Sequence, residues 1–542
     1  MVRKKTVLLA AVGLLLAGSA TADAYESRLV PFRDVSGDVW SAESIYTLAA
    51  VQALDGYEDG SFGPVVPMTK EEFVKLLAAS AQTEPAASGA TGLADVAADR
   101  WSYGYIAAAL NGHWADELVD GEGKFRPTAA IRREEAAYAM GSLLLQRLPE
   151  AERKEWQDGG WREQRKLSGF PDDRLVDEEL APAVYYAVRG GMLEGNTGGL
   201  DPDSPLTRQE AAALIHRLLR QEADRRPLEV TGFYAIQSFG SIGKLPLLDQ
   251  VALGWWHLQY DGPGQATLGS AGDPFKFNVP EGWEQVTAAA SQSGIGKQLT
   301  VFANKSHGLE AFLDDAAARQ AFVTSLASAL NDPRYGFSGL CIDFEDLYTE
   351  DRRDAFTSFL KEVKGILNGR TLTVAVPPAF YYKGYDLKAI GETADSVLLM
   401  AYQFLHKPDR LPSSPFPLAA EAVRDTLAAG VPADKLVLGI GKQTDQFIER
   451  DGEMAYASPT TDKVEARLRQ PGVLQTLSVP YLLSRITYMD QGAHELFYED
   501  ADSIGRKLWL ARYYGLKGVS LWYMGQFAES DWTRIEQERR GS

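Results

Sequence analysis

From Leu228 onward, short apolar runs alternate with helical stretches, and this alternation constrains the fold more than any other feature. The runs that read as strands are Glu229 to Ile236, Gln250 to Trp256, Gln298 to Ala303, Gly336 to Phe344, Thr371 to Val376, Ser396 to Tyr402, Lys435 to Ile440 and Gly518 to Tyr523. Between them lie helical stretches such as Ala316 to Ala329, Arg352 to Leu367, Ala419 to Ala429 and Ala501 to Tyr514. Eight such units over residues 228–537 predict an α/β fold, a (β/α)8 or TIM barrel. On that fold the functional groups stand at the C-terminal ends of the strands.

The fourth run carries the densest chemistry. The segment Gly336-Phe337-Ser338-Gly339-Leu340-Cys341-Ile342-Asp343-Phe344-Glu345 is apolar from Phe337 to Ile342 and ends in two carboxylates. Period-two alternation puts Asp343 and Glu345 on one side of the strand. Leu340, Ile342 and Phe344 fall on the other, as on a barrel strand packed against helices. One ionised carboxylate makes ionisation of its neighbour harder, so one pKa rises. That leaves a protonated general acid near neutral pH, the group that glycosidic cleavage requires. The same acids would also suit a solvated helix start, the part that Asp346 and Glu350 fit.

This stretch resembles the signature strand of family 18 glycoside hydrolases, Asp-Gly-x-Asp-x-Asp-x-Glu, and most of all the branch of spore-cortex-lytic and related bacterial wall enzymes. Ser338 stands at the first Asp and Cys341 at the middle one. The resemblance implies that Glu345 is the catalytic acid and that Asp343 holds and polarises the substrate's N-acetyl group. Met400-Ala401-Tyr402-Gln403 is similar to the family's Met-x-Tyr-Asp segment after the sixth strand, with Gln403 at the Asp. That match gives Tyr402 a hydrogen bond to the reacting N-acetyl group. Gly518-Val519-Ser520-Leu521-Trp522 is similar to the last strand, whose tryptophan floors the sugar subsite. The catalytic candidates are therefore Glu345, Asp343 and Tyr402. The candidate substrate contacts are Trp522, Gln403, Met400, Cys341 and Tyr498, with Trp255, Trp256, Tyr381 and Tyr382 as linings of outer subsites. Tyr498 lies in the long interval between the seventh and eighth strands, an alternating stretch that reads as an insert walling one side of the cleft.

The first third of the chain repeats itself. Each unit opens on an aromatic or apolar residue beside Asp: Phe32-Arg33-Asp34, Leu93-Ala94-Asp95 and Phe170-Pro171-Asp172. A short amphipathic helix and a Gly-rich turn follow. Each unit closes on a helix start, at Thr69-Lys70-Glu71-Glu72, Arg132-Arg133-Glu134-Glu135 and Thr207-Arg208-Gln209-Glu210. Thr69 and Thr207 have N-cap chemistry, and an acid three residues on makes a capping box. Fixed-period self-similarity predicts a repeat architecture. The units, placed at residues 25–85, 86–150 and 165–222, resemble S-layer homology (SLH) modules, mainly α-helical repeats that bind pyruvylated secondary cell-wall polymer. The match implies Lys70, Arg133 and Arg208 as cations for an anionic polymer, the two arginines offering a planar fork and Lys70 only a point charge. Glu150 to Lys166 reads as a charged connector and Gln221 to Arg226 as a short linker before the barrel.

Residues 1–24 read as a secretory signal peptide, with an uncleaved anchor as the alternative: Arg3, Lys4 and Lys5 precede an apolar run from Val7 to Ala17, short for a spanning helix, and Ala22-Asp23-Ala24 fits a cleavage site. No other stretch reads as a membrane span. A formal net charge of −19 argues against nucleic acid or anionic lipid as the main partner. A single cysteine excludes an intramolecular disulfide framework, and 6 scattered histidines show no metal-ligand spacing. No metal or organic cofactor is expected. The expectation is a secreted enzyme of a Gram-positive-type cell wall or cell surface. It would cleave β-linked N-acetylglucosamine polymer, peptidoglycan first and chitin second, by a retaining, substrate-assisted route. A lectin-like barrel that holds glycan without cutting it, and a structural envelope protein for which the barrel is only a scaffold, are the other classes.

Overall fold

The computed structural model describes residues 29–86, 92–195, 198–224, 226–379 and 382–539. The expected signal peptide and Tyr381 lie outside these residues. Two compact units are present, one over Pro31–Glu222 and one taking the chain from Ala223 onward.

In the first unit three helices, Lys70–Ser80, Arg133–Gln146 and Arg208–Asp224, begin in one pattern. Thr69 and Thr207 accept from the backbone N–H of Glu72 and Glu210, and those glutamates accept from the threonine N–H at 2.8 Å each. At the second start Arg132 has no side-chain acceptor to offer, and only the return bond from its N–H to Glu135 forms. The residues just before the helices close a three-way backbone ring: Met68 N–H donates to Leu206, Leu206 to Ile131 and Ile131 to Met68, at 2.8–2.9 Å. The opening aspartates explain the Gly-rich turns. Asp34 accepts from the N–H groups of Phe62 and Gly63, Asp95 from Phe125 and Arg126, and Asp172 from Leu200 and Asp201. Each carboxylate thus ties the start of a unit to its turn, which satisfies backbone donors that the turn leaves open. The connector is helical over Glu150–Glu155 and Trp161–Ser168, with Trp156 and Trp161 buried. The expected linker at Gln221 to Arg226 is still helix as far as Asp224.

The second unit is built on a closed parallel barrel. Its strands are β1 (Glu229–Tyr234), β2 (Gln250–Gly262), β4 (Gly296–Ala303), β5 (Gly339–Phe344), β6 (Thr371–Val376), β7 (Ser396–Leu399), β8 (Leu436–Gly441) and β14 (Gly518–Trp522). They pair in the order β1-β2-β4-β5-β6-β7-β8-β14, and β14 returns to β1. A short β3 (Gln265–Gly269) folds back antiparallel on the overlong β2. Every residue of β5 is buried, as expected of a strand with the barrel interior on one face and helices on the other. Outside, Phe344 stacks on Phe359 of the helix Arg353–Gly365, with ring centroids 5.2 Å apart. Inside, polar side chains satisfy one another at the strand starts: the Gln298 amide donates to Gln250 at 2.6 Å and to Thr373 at 2.9 Å. Ser338 is tied to the backbone of Lys297 at this same end, away from the acids at the strand's C-terminus.

Between β8 and β14 the chain builds a separate antiparallel sheet from β9 (Asp445–Arg450), β10 (Glu453–Ala457), β11 (Leu474–Ser478), β12 (Leu483–Met489) and β13 (Ala493–Tyr498), in the order β10-β9-β13-β12-β11. One face packs Val464, Ile486, Leu496 and Tyr498 together, and the other packs Phe447, Leu483 and Phe497. Among the described residues no helix is long and apolar enough to cross a membrane.

Candidate active site

Asp343 and Glu345 stand at the C-terminal end of β5 and face the barrel interior. Asp343 is the last inward residue of the strand, and Glu345 continues the ladder by donating its N–H to Ala303 at 2.8 Å. Asp343 is only 2% exposed, and its Oδ1 has no hydrogen-bond partner within the protein. An unsatisfied buried acceptor is costly, and at the C-terminal end of a barrel strand it can take a donor from a ligand.

The electrostatics follow from enclosure. Burial pushes the Asp343 carboxyl up to about 7. Glu345 is pushed well above the usual carboxylate range, first by burial, then by the neighbouring charges of Asp343 and Asp346. A hydrogen bond from the Gln403 side chain opposes this rise. The Gln403 amide also reaches the sulfur of Met400 at 3.9 Å. The pair therefore carries a proton at neutral pH, the state a general acid needs.

Tyr402 completes the arrangement from the end of β7. Its phenol is held neutral by burial and by the adjacent Asp343 and Glu345 carboxyls. Its ring lies against two glycines of β8. A Cβ at Gly439 would fall 2.8 Å from the ring, and one at Gly441 would fall 2.8 Å from its Cγ, so only glycine leaves the seat open. Trp522, at the end of β14, lies parallel to Tyr402 with centroids 6.4 Å apart and rests on Phe233 at 4.4 Å.

Several expected contacts lie elsewhere. Cys341 is fully buried beneath Asp343, paired in register with Thr300, and Met400 packs among Ala375, Leu398 and Val437. Cys341 thus lies below the acids, while Met400 meets the Gln403 amide and packs against Tyr402. Tyr498 is buried in the core of the insert, and its hydroxyl accepts from Gln475 at 2.9 Å. Trp255 and Trp256 are buried away from the cleft, against Tyr234 and against Tyr335 and Phe337. Tyr382 is closer to the acids: it is buried and stacked on Tyr348, whose phenol interacts with Glu345. Lys70, Arg133 and Arg208 are paired inside their own unit: with Glu135 at 2.8 Å, Glu210 at 3.3 Å and Glu72 at 3.2 Å. Each cation thus meets the capping glutamate of the next helix start, and the three pairs close a ring. Arg208 is the most committed, donating also to the carbonyls of Phe62 and Asp55.

Sequence reasoning missed Tyr385. It donates its hydroxyl to the Phe344 carbonyl at 2.6 Å, between the two acids, and burial together with the Glu345 and Asp343 charges raises its pKa. No spacing rule points to it, because it arrives from the loop after β6. The Gly-x-Gly at the end of β8 was a visible signal for the Tyr402 seat.

A closed (β/α)8 barrel with paired carboxylates at the end of its fourth barrel strand defines a glycoside-hydrolase type of site. Residues 280–526 match the family model described as Glycosyl hydrolases family 18, and residues 31–74 match the S-layer homology domain. The family 18 match thus runs along the barrel from residue 280 to just past β14, and the S-layer homology match covers the start of the first unit. YdhD of Bacillus subtilis (strain 168), a putative sporulation-specific glycosylase by name, is 30% identical over 227 residues, covering 39% of this chain and 52% of that protein. The cortical fragment-lytic enzyme of the same organism is 26% identical over 249 residues, covering 42% of this chain and 55% of that protein. The chain thus spans about half the length of these curated relatives. The spore cortex-lytic enzyme SleL of Bacillus cereus shares the fold, with a TM-score of 0.50 and 22% identity over 58% of this chain and 75% of that one.

Proposed function

We propose that this protein is a cell-surface glycoside hydrolase that cleaves β-linked polymers containing N-acetylglucosamine, peptidoglycan first and chitin second. One observation carries the reading: Asp343 is buried with an unpartnered oxygen, two residues along the strand end from Glu345, whose carboxyl burial and neighbouring charge push well above the usual range. An acetamido N–H of the sugar at the floor of the cleft supplies the missing donor. Glu345 then gives its proton to the leaving glycosidic oxygen. The substrate's own acetamido oxygen attacks the anomeric carbon, the substrate-assisted variant of retaining hydrolysis. Asp343 and Tyr402 hold that group while positive charge develops, and Trp522 offers an apolar face to the pyranose ring. Glu345, now ionised, takes a proton from the incoming water and the β configuration is restored. The S-layer homology sequence supports attachment to the wall. We assign it to three modules holding an anionic wall polymer, with Arg133 the least enclosed of the three cations at 15% side-chain exposure.

The test is reducing-end release from purified peptidoglycan and from chitin oligomers by the full chain and by Glu345→Gln. The expected result is release by the wild type and a loss of roughly 100-fold or more in the variant. Binding of both polymers without release by the wild type would leave a glycan-binding barrel instead.

A further inference from the structure

The residues Tyr402 and Gln403 do not lie on a strand. β7 ends at Leu399, and the chain from Tyr402 to Ser414 forms a hairpin above the barrel. Its two arms are joined by Phe404 N–H donating to Ser413 at 3.0 Å and by a two-way pair between His406 and Leu411 at 3.1 Å. One arm starts with the residues that meet Glu345, and the other ends in Ser413 and Ser414. Those two serines are held by carboxylates from opposite ends of the insert. Asp445, the first residue of β9, is 2% exposed; it accepts from the Ser413 N–H at 2.7 Å, the Ser413 hydroxyl at 2.9 Å and the Tyr456 hydroxyl at 2.8 Å. Glu499 follows β13 directly and is 1% exposed; it accepts from the Ser414 hydroxyl at 2.7 Å and from Lys507, which also donates to the Ser414 carbonyl at 2.9 Å. Lys442, just after β8, donates to the Glu499 carbonyl and pairs with Asp531 at 2.8 Å, so the two ends of the insert are tied together.

Buried carboxylates are expensive unless charge-assisted bonds offset their desolvation. Here those bonds converge on two consecutive serines of one hairpin, which a sheet that merely walls a cleft does not need. We infer that the insert is a positioning device: Asp445 and Glu499 hold the hairpin so that Gln403 and Tyr402 meet Glu345 in working geometry. The inference rests on the hydrolase reading above. It makes Asp445 a positioning residue that acts through Ser413, Phe404 and Gln403.

The groups facing Glu345 are Asp343, Asp346, Tyr348, Tyr385, Tyr402 and Gln403. Of these, Gln403 alone lowers its proton affinity through a hydrogen bond. Loosening the hairpin removes that bond and moves the alkaline limb of activity to higher pH. The full chain is compared with Asp445→Asn, Ser413→Ala and, as a control on the same sheet, Met489→Ala, whose side chain is 78% exposed. Two readouts are taken: amide exchange of the 403–414 peptide in the free protein, and kcat, KM and the pH profile on chitin oligomers and peptidoglycan. Asp445→Asn is expected to lose protection at the hairpin, to drop kcat about 10-fold with KM changed far less, and to shift the alkaline limb upward. A fold defect alone would scale kcat without moving the limb. Should Asp445→Asn fail to fold, Ser413→Ala carries the same test with a smaller drop and the same direction of shift. Folded variants with unchanged exchange and an unchanged limb overturn the inference. A wild type inactive on both polymers, with the hairpin still loosened by Asp445→Asn, defeats the hydrolase reading and leaves the clamp standing.

Discussion

At the scale of single residues, the site is a set of carboxyls taken out of water at a strand end, and two consequences are measurable. Glu345 holds its proton more tightly when folded than when unfolded, because burial and neighbouring charge disfavour the anion. The folded chain therefore binds more protons than the unfolded chain above the ordinary glutamate range, and its stability falls as pH rises through that interval. Glu345→Gln has no such charge to suppress. Its thermal midpoint should match the wild type near pH ~4, the ordinary glutamate range, and exceed it increasingly as pH rises toward ~7. A gap that is constant with pH would show that Glu345 titrates normally. The second consequence concerns the glycine seat of Tyr402. Gly441→Ala puts a methyl group 2.8 Å from the ring's Cγ, so the ring must move. Overpacking of this kind costs about 1–3 kcal/mol. Its kcat should fall as far as that of Tyr402→Phe while the chain stays folded, which paired kinetics and melting curves decide.

At the scale of elements, the helix starts of the first unit are specified by very few atoms. Thr207→Ala removes the hydroxyl that accepts from the Glu210 N–H and loosens a helix that also supplies Arg208. Melting should register a loss of about 1 kcal/mol; a neutral result would mean that the return bond from the Thr207 N–H suffices. The barrel strands were legible because each is an apolar run bounded by turns, and β6 falls on Thr371–Val376, its expected span. Where the reading missed, a physical reason is visible. β7 stops before Tyr402 because Ala401 and Tyr402 bond back to Leu399 and Met400 two residues away, which curls the chain off the sheet. β2 runs on to Gly262 because its extension pairs with β3, a hairpin that the apolar pattern alone does not announce. Trp255 and Trp256 looked like sugar platforms because sequence gives size and not facing direction. The acids show a similar contrast. Asp343 and Glu345 were legible from alternation and motif together, whereas Asp445 reads in sequence like any solvated strand acid, and only the fold encloses it.

At the scale of the whole molecule, two compact units are held together in different ways. The first closes on itself through three cation–glutamate pairs and a three-way backbone ring, so its cohesion depends on all of its helix starts at once. The second presents a closed barrel in which polar side chains bond to one another at the strand starts, and in which the acid pair keeps one buried oxygen without a partner. In the proposed mechanism that oxygen gives the substrate's acetamido group a place and a role. The most direct test offers the chain glucosamine oligomers of equal length, N-acetylated and N-deacetylated, and follows cleavage and the anomer first formed by NMR. The expected result is cleavage of the acetylated oligomer with retention of the β configuration, and no measurable cleavage of the deacetylated one. Comparable cleavage of both, or an inverted first product, would contradict it.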